Sequence, residues 1–172
     1  MAKNSKILEV VNILMDGLKE FDPVNVEYGN DQVVGFPNDV NGCDLVIYIK
    51  KDELTLTYGF HHAHFEPNDT NSCIIHSKKL LSGEYASVEY FSGDKDLFGG
   101  ARLASTCKFE TVDDVVNCYA VGNEKVAQGL YALIQRDAIN VRAISFDNKV
   151  NEIISVSYDG KDYKIDKIRL IC

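Results

Sequence analysis

Three of the four histidines in this chain lie in one short segment, Gly59-Phe60-His61-His62-Ala63-His64-Phe65-Glu66, which also ends in a carboxylate. Imidazole and carboxylate are the side chains that hold divalent metals. Two histidines and one carboxylate with open positions suit iron or another divalent ion, and three ligands with a water suit zinc. Side chains on a strand alternate between faces. Read as one extended run, Leu54 to Glu66 puts Leu54, Leu56, Tyr58, Phe60, His62, His64 and Glu66 on one face. Thr55, Thr57, Gly59, His61, Ala63 and Phe65 fall on the other. Positions two apart on a strand are roughly 6.5–7 Å apart at the backbone, so His62 and His64 can converge on one ion. The candidate metal ligands are therefore His62, His64 and Glu66, with His76 approaching from beyond the intervening residues. Two other roles fit the same residues. His62 and His64 can fill the rim of a sheet face and bond nearby carbonyls or acids, or they can contact a partner directly.

The remaining chemistry-bearing residues form no catalytic motif. Cys73 can be paired on paper with His76 or His64, but a catalytic thiol needs a lowered pKa, and Cys73 lies in a polar stretch. Gly99-Gly100-Ala101-Arg102 lacks the Lys-Ser or Lys-Thr of a phosphate loop and reads as a bulged strand. Asp94 and Asp96 lack the twelve-residue calcium pattern. Glu84 and Glu89 point to opposite faces of their strand, so they are no catalytic pair. No catalytic residue is assigned.

The elements that must position these residues can be read from periodicity. Ile7, Val11, Leu14 and Leu18 recur at helical spacing, with Leu8 and Met15 beside them, which predicts a helix over 5–20. Asp22-Pro23 ends it. Strands are predicted over Val24 to Tyr28, Gln32 to Phe36, Cys43 to Lys50, Glu53 to Phe65 and Gly83 to Phe91, with Leu97 to Lys108 as partner of the last. Residues 66–78 read as a loop rich in turn formers. Thr111 followed by Asp113 and Asp114 marks a helix start, and a second helix follows from Glu124 to Asp137. Three strands close the chain, and Asp159-Gly160 between the last two signals a type I′ hairpin. The expected architecture is a single α+β domain over 1–172. It has an N-terminal helix and a mostly antiparallel sheet with a helix pair packed on one face.

Composition narrows the function. The chain carries 26 acidic and 18 basic residues, a formal charge of −8. Such a balance repels phosphate backbones, which excludes nucleic acid as a partner. It suits a basic protein partner through electrostatic steering. The five cysteines have neither disulfide-framework nor zinc-ribbon spacing and read as thiols in a reducing compartment. The N-terminal apolar run is broken by Glu9, Asn12 and Asp16, so neither a signal peptide nor a membrane span is expected. The expected location is the cytoplasm. Nine tyrosines, eight phenylalanines and no tryptophan supply rigid bodies with polar tips, a composition suited to protein contact.

The run Leu54 to Glu66 ends in a G-x-H-x-H-F-[DE]-type signature. With Gly83-Glu84-Tyr85 to Phe91 and Phe98-Gly99-Gly100-Ala101 after it, the order resembles small bacterial immunity proteins of polymorphic toxin systems. The resemblance covers residues 43–105, and the additional histidine and the Ala63 spacing depart from the usual form. It implies a cytoplasmic, non-enzymatic protein that binds and neutralises a cognate toxin, a basic toxin domain being the fitting partner. The other reading left open is a metal-binding protein, or a small metal-dependent enzyme, using the His-x-His-x-Glu strand.

Overall fold

The computed structural model describes residues 2–28, 31–97, 99–105 and 109–169, with the side chains of residues 2–4 and 28 excepted. Helix α1 (Ala2–Gly17) buries Val10, Val11 and Leu14, with Leu18 just beyond it. Ile7 and Met15 pack at the edge of that stripe, while Leu8 faces out. A short 3-10 turn, Lys19–Phe21, closes the helix at Asp22, which takes the left-handed conformation.

Five strands follow: β1 (Val24–Tyr28), β2 (Asp31–Phe36), β3 (Leu45–Ile49), β4 (Leu54–Tyr58) and β5 (His61–Phe65). They form a meander in chain order. Helix α2 (Thr70–Leu81) then leads to β6 (Tyr85–Ser92), β7 (Lys95–Asp96) and β8 (Arg102–Ser105). The helix pair α3 (Val112–Ala120) and α4 (Glu124–Arg136) precedes β9 (Ile139–Ser145), β10 (Asn151–Tyr158) and β11 (Tyr163–Arg169). These later strands form a second sheet in the order β11-β10-β9-β6-β7, with β8 also paired to β6. Every pairing among the described residues is antiparallel. The fold is α+β, but the strands divide into two sheets where one was expected.

Each sheet has its own core. The first buries Val34, Phe36, Leu45, Ile47, Ile49, Leu54, Leu56 and Tyr58 against α1 and α2. The second packs Ala86, Val88, Tyr90, Val141, Ala143, Ile154 and Val156 against α3 and α4. The helix pair starts as the sequence predicts. Thr111 Oγ1 accepts the Asp114 amide at 3.2 Å, and the Asp114 carboxylate accepts the Thr111 amide at 2.7 Å. Asn123 caps α4 through the Val126 amide.

Four local expectations are corrected. Residues 66–78 are not a loop through their length, because α2 begins at Thr70, capped by Asp69 Oδ1 on the Ser72 amide at 3.2 Å. The long run Glu53 to Phe65 is two strands joined by the turn Gly59-Phe60, with Tyr58 paired to His61. Gly59 has φ +53°, and glycine at the first position of a two-residue loop is the type II′ pattern. A Cβ there would also lie 2.7 Å from Ile144 Cγ2, so the turn needs glycine twice over. The segment after Leu97 is not one bulged strand: Gly99 and Gly100, at φ +75° and +122°, separate β7 from β8. The last hairpin does not turn on Asp159-Gly160: the Asp159 amide donates to the Asp162 carbonyl at 3.2 Å, Gly160 alone has positive φ at +94°, and Asp159 Oδ1 accepts from the Lys161 and Asp162 amides.

The two sheets are tied together by buried asparagines in the β2–β3 connection. Asn38 Nδ2 donates to the Phe146 carbonyl at 2.8 Å, and Asn41 Nδ2 donates to the Ser145 carbonyl at 3.0 Å. Their oxygens organise their own loop, accepting from the amides of Val40 and Cys43. The Phe60 amide adds a bond to Ser87 Oγ on β6 at 3.2 Å. Cys73 is a buried thiol, but Cys43 is disulfide-bonded. Disulfides are rare in reducing compartments. The cysteine argument for an intracellular setting therefore does not hold at Cys43. No helix among the described residues is long and apolar enough to cross a membrane.

Candidate functional site

The turn at Gly59-Phe60 decides which way each histidine faces. Two residues of turn shift the alternation by one position, so Leu54, Leu56 and Tyr58 sit opposite Phe65, Ala63 and His61. The inner face of β5 thus carries His61, Ala63 and Phe65, and the outer face carries His62 and His64. This reverses the expectation that His62 and His64 share the apolar face and that His61 points away.

On the outer face the His62 and His64 rings meet edge to face, with centroids 5.4 Å apart. His64 Nδ1 lies 3.0 Å from Glu53 Oε2. That bond, followed by the one from Lys50, holds the Glu53 carboxyl below its ordinary range. Glu66 is exposed past the end of β5, beside Pro67. His76 is on α2, on the inner side of the hairpin, and reaches His61 instead. The four expected ligands are therefore divided between two faces. No group of three or more His, Cys, Asp or Glu among the described residues has an arrangement that could hold a metal ion.

The inner pair is His61 and His76. Their Nε2 atoms are 3.1 Å apart, with ring planes within 10° and centroids at 5.2 Å. The rings thus meet through their nitrogens, with Phe65 edge-on to His76. One Nε2–H must donate to the other Nε2 as a bare acceptor, so both rings cannot be charged in this geometry. Burial, then the neighbouring His76 and His62, push His61 down to about 4, against a small opposing contribution from the Ala101 backbone. Burial and Lys79 also lower His76. Between the ordinary histidine value and about 4, the unfolded chain binds a proton that the folded chain refuses. Stability from this pair is thus complete above that window and is lost as pH falls through it. Denaturation curves at neutral pH and near pH 4.5 should show the wild-type advantage over His61→Gln shrinking by about 1–2 kcal/mol, after allowance for the rings' partial exposure. Parallel curves would remove the pair from any acid response.

Cys73 is no nucleophile. It is fully buried on α2 and burial pushes its thiol up to about 12, so no thiolate is present at neutral pH.

A second constellation, not expected from the sequence, lies on the six-stranded sheet. Its face away from α3 and α4 is covered at one end by the first core, through Tyr85, Ile144 and Leu103. Among the described residues the other end is only partly covered. Across it the register aligns Glu89, Arg142, Ile153 and Ile168 on four neighbouring strands. The next row holds Phe91, Asn140, Ser155 and Asp166. Phe91, Ile153 and Ile168 belong to neither core, and Ile168 is 67% exposed. The Arg142 guanidinium is held between two rings, 4.8 Å from the Phe60 centroid and 4.6 Å from that of Phe91. Arg142 Nη2 lies 2.5 Å from Glu89 Oε2. Its Nε has no hydrogen-bond partner among the described residues. Such a face presents a rigid, planar, charged group flanked by aromatic and aliphatic carbon. It can recognise a complementary surface, and its Glu89 carboxylate is engaged by Arg142.

No protein-family model, curated protein or solved structure matches this chain.

Proposed function

We propose that this chain is a non-enzymatic partner-binding protein of the immunity type, which neutralises a basic toxin domain by docking it on the partly covered end of the six-stranded sheet. One observation carries the reading: Arg142 is fixed between Phe60 and Phe91 on a face where Ile153 and Ile168 are left outside both cores. Arginine and aromatic anchors on a rigid base are the residues that dominate binding energy at protein interfaces. Sheet surfaces with apolar residues outside any core are uncommon unless something covers them. Glu89 offsets Arg142, so this patch is close to neutral, and the net charge of −8 supplies long-range attraction toward a basic partner. The reading assigns the outer histidines no ligand role. The direct test is titration of the purified chain against basic toxin domains, beginning with any encoded by genes neighbouring its own. A sub-micromolar complex that weakens as salt is raised, together with loss of toxicity on co-expression, is the expected result. No complex with any of those domains, at low salt and high concentration, would refute it.

A further inference from the structure

We propose that the crevice between α1 and the β3–β4 hairpin is a binding site for a small amphiphile, with one carboxylate head and an acyl or aryl tail. The crevice encloses about 380 Å³, within the usual range for small-molecule sites. Its floor is apolar, built from Ile7, Val10 and Leu54. Its mouth carries Lys6, Lys50 and Lys51. In a chain with 26 acidic and 18 basic residues, three ammonium groups around one apolar opening are a local reversal of charge. Carboxylates, Asp52, Glu53 and Glu66 among them, adjoin lining residues in the chain, but the residues that line the crevice itself carry only lysine charges. Lys50 pairs with Glu53 at 3.3 Å and Lys51 with Asp52 at 3.5 Å, both on the surface. Exposed pairs of this kind contribute little and exchange readily, so both lysines can turn to an incoming anion. Glu53 meets His64 through Oε2 and Lys50 through Oε1, so the Lys50 contact is one exposed bond that an incoming carboxylate can replace. Lys6 makes no ion pair among the described residues. The tail would take the apolar floor out of water, and the head would meet the lysines at the rim. This crevice lies on the first sheet, and nothing in it depends on the partner face of the second.

The test is a fluorescence titration of the full chain with dansyl-undecanoic acid, followed by competition with dodecanoate, its methyl ester and anionic phosphatidylglycerol vesicles. Saturable binding of one probe per chain is expected, displaced by dodecanoate and about tenfold less well by the uncharged ester. Lys6→Glu with Lys51→Glu, both on exposed side chains, should weaken the probe about tenfold or more while circular dichroism stays unchanged. Val10→Trp should fill the crevice and abolish binding. Because that variant can unfold, the lysine variants carry the decision. The proposal is overturned by absence of saturable binding, by equal affinity for acid and ester, by binding unchanged in the lysine variant, or by binding to vesicles alone.

Discussion

Asn38→Ala is expected to lower the stability of this protein by about 3 kcal/mol, the largest effect of any single polar substitution proposed here. Asn38 is almost fully buried, and its side chain bonds both sheets at once. Nδ2 satisfies the Phe146 carbonyl at the end of β9, and Oδ1 takes the amides of Val40 and Asn41 in the β2–β3 connection. Truncation takes this partner from the part-buried Phe146 carbonyl and Val40 amide and from the buried Asn41 amide. Each such orphan costs about 1–3 kcal/mol, which exceeds the worth of the bonds themselves. The loop is also pinned by Asp44 Oδ1 on the Asn38 amide and by the Gly42 amide on the Asn38 carbonyl, so it cannot easily rearrange to recover them. Urea denaturation at neutral pH measures the loss, with exposed Asn71→Ala as the control expected to change stability by less than about 0.5 kcal/mol. A loss for Asn38→Ala below about 1 kcal/mol would mean that the Asn38 bridge adds little to the Asn41 and Phe60 bonds and the apolar contact between the sheets.

Arg142→Ala is expected to weaken the partner complex at least about thirtyfold, the mark of a hot spot of 2 kcal/mol or more. The guanidinium is already ordered between Phe60 and Phe91 and across from Glu89, so little entropy is lost when a partner meets it. Arg142→Lys keeps the charge but loses the planar fork, and should recover only part of the affinity. Arg142→Ala also takes the partner from Glu89, whose side chain is 16% exposed, so thermal unfolding is compared beside binding, and Arg142→Lys, which keeps the charge, separates the two. Equal affinity for wild type and Arg142→Ala would move the docking site elsewhere.

Much of the fold was legible because local signals agreed with it. The stripe of α1, the Thr111 capping box and the strand alternation of β3 and β4 all survive in the structure. Helix α2 was hidden because its buried face includes Ser77, whose hydroxyl donates to the Cys73 carbonyl at 2.8 Å. A serine that meets its need within its own helix can be buried without an apolar signature. The β4–β5 turn was hidden because polar Thr55 and Thr57 alternate with apolar neighbours on either reading. Gly59 followed by a bulky residue was the available signal. Missing it inverted the histidine assignment, since a two-residue turn moves every later side chain to the other face. The division into two sheets had no local signal, since hairpin patterns do not say where a sheet ends. The Arg142 face was equally illegible. Phe60, Phe91 and Arg142 come from three separate elements, brought together by the β6–β9 register and by the packing of the β4–β5 turn onto the second sheet.

Amide hydrogen exchange on the free chain and on its complex with the toxin domain tests the central claim most directly. The docking reading predicts slowed exchange on complex formation at 89–92, 140–144, 151–156 and 165–168, with β5 and α2 unchanged. Protection confined to β5, α2 or the outer histidines, with those four segments exchanging as in the free chain, would contradict it.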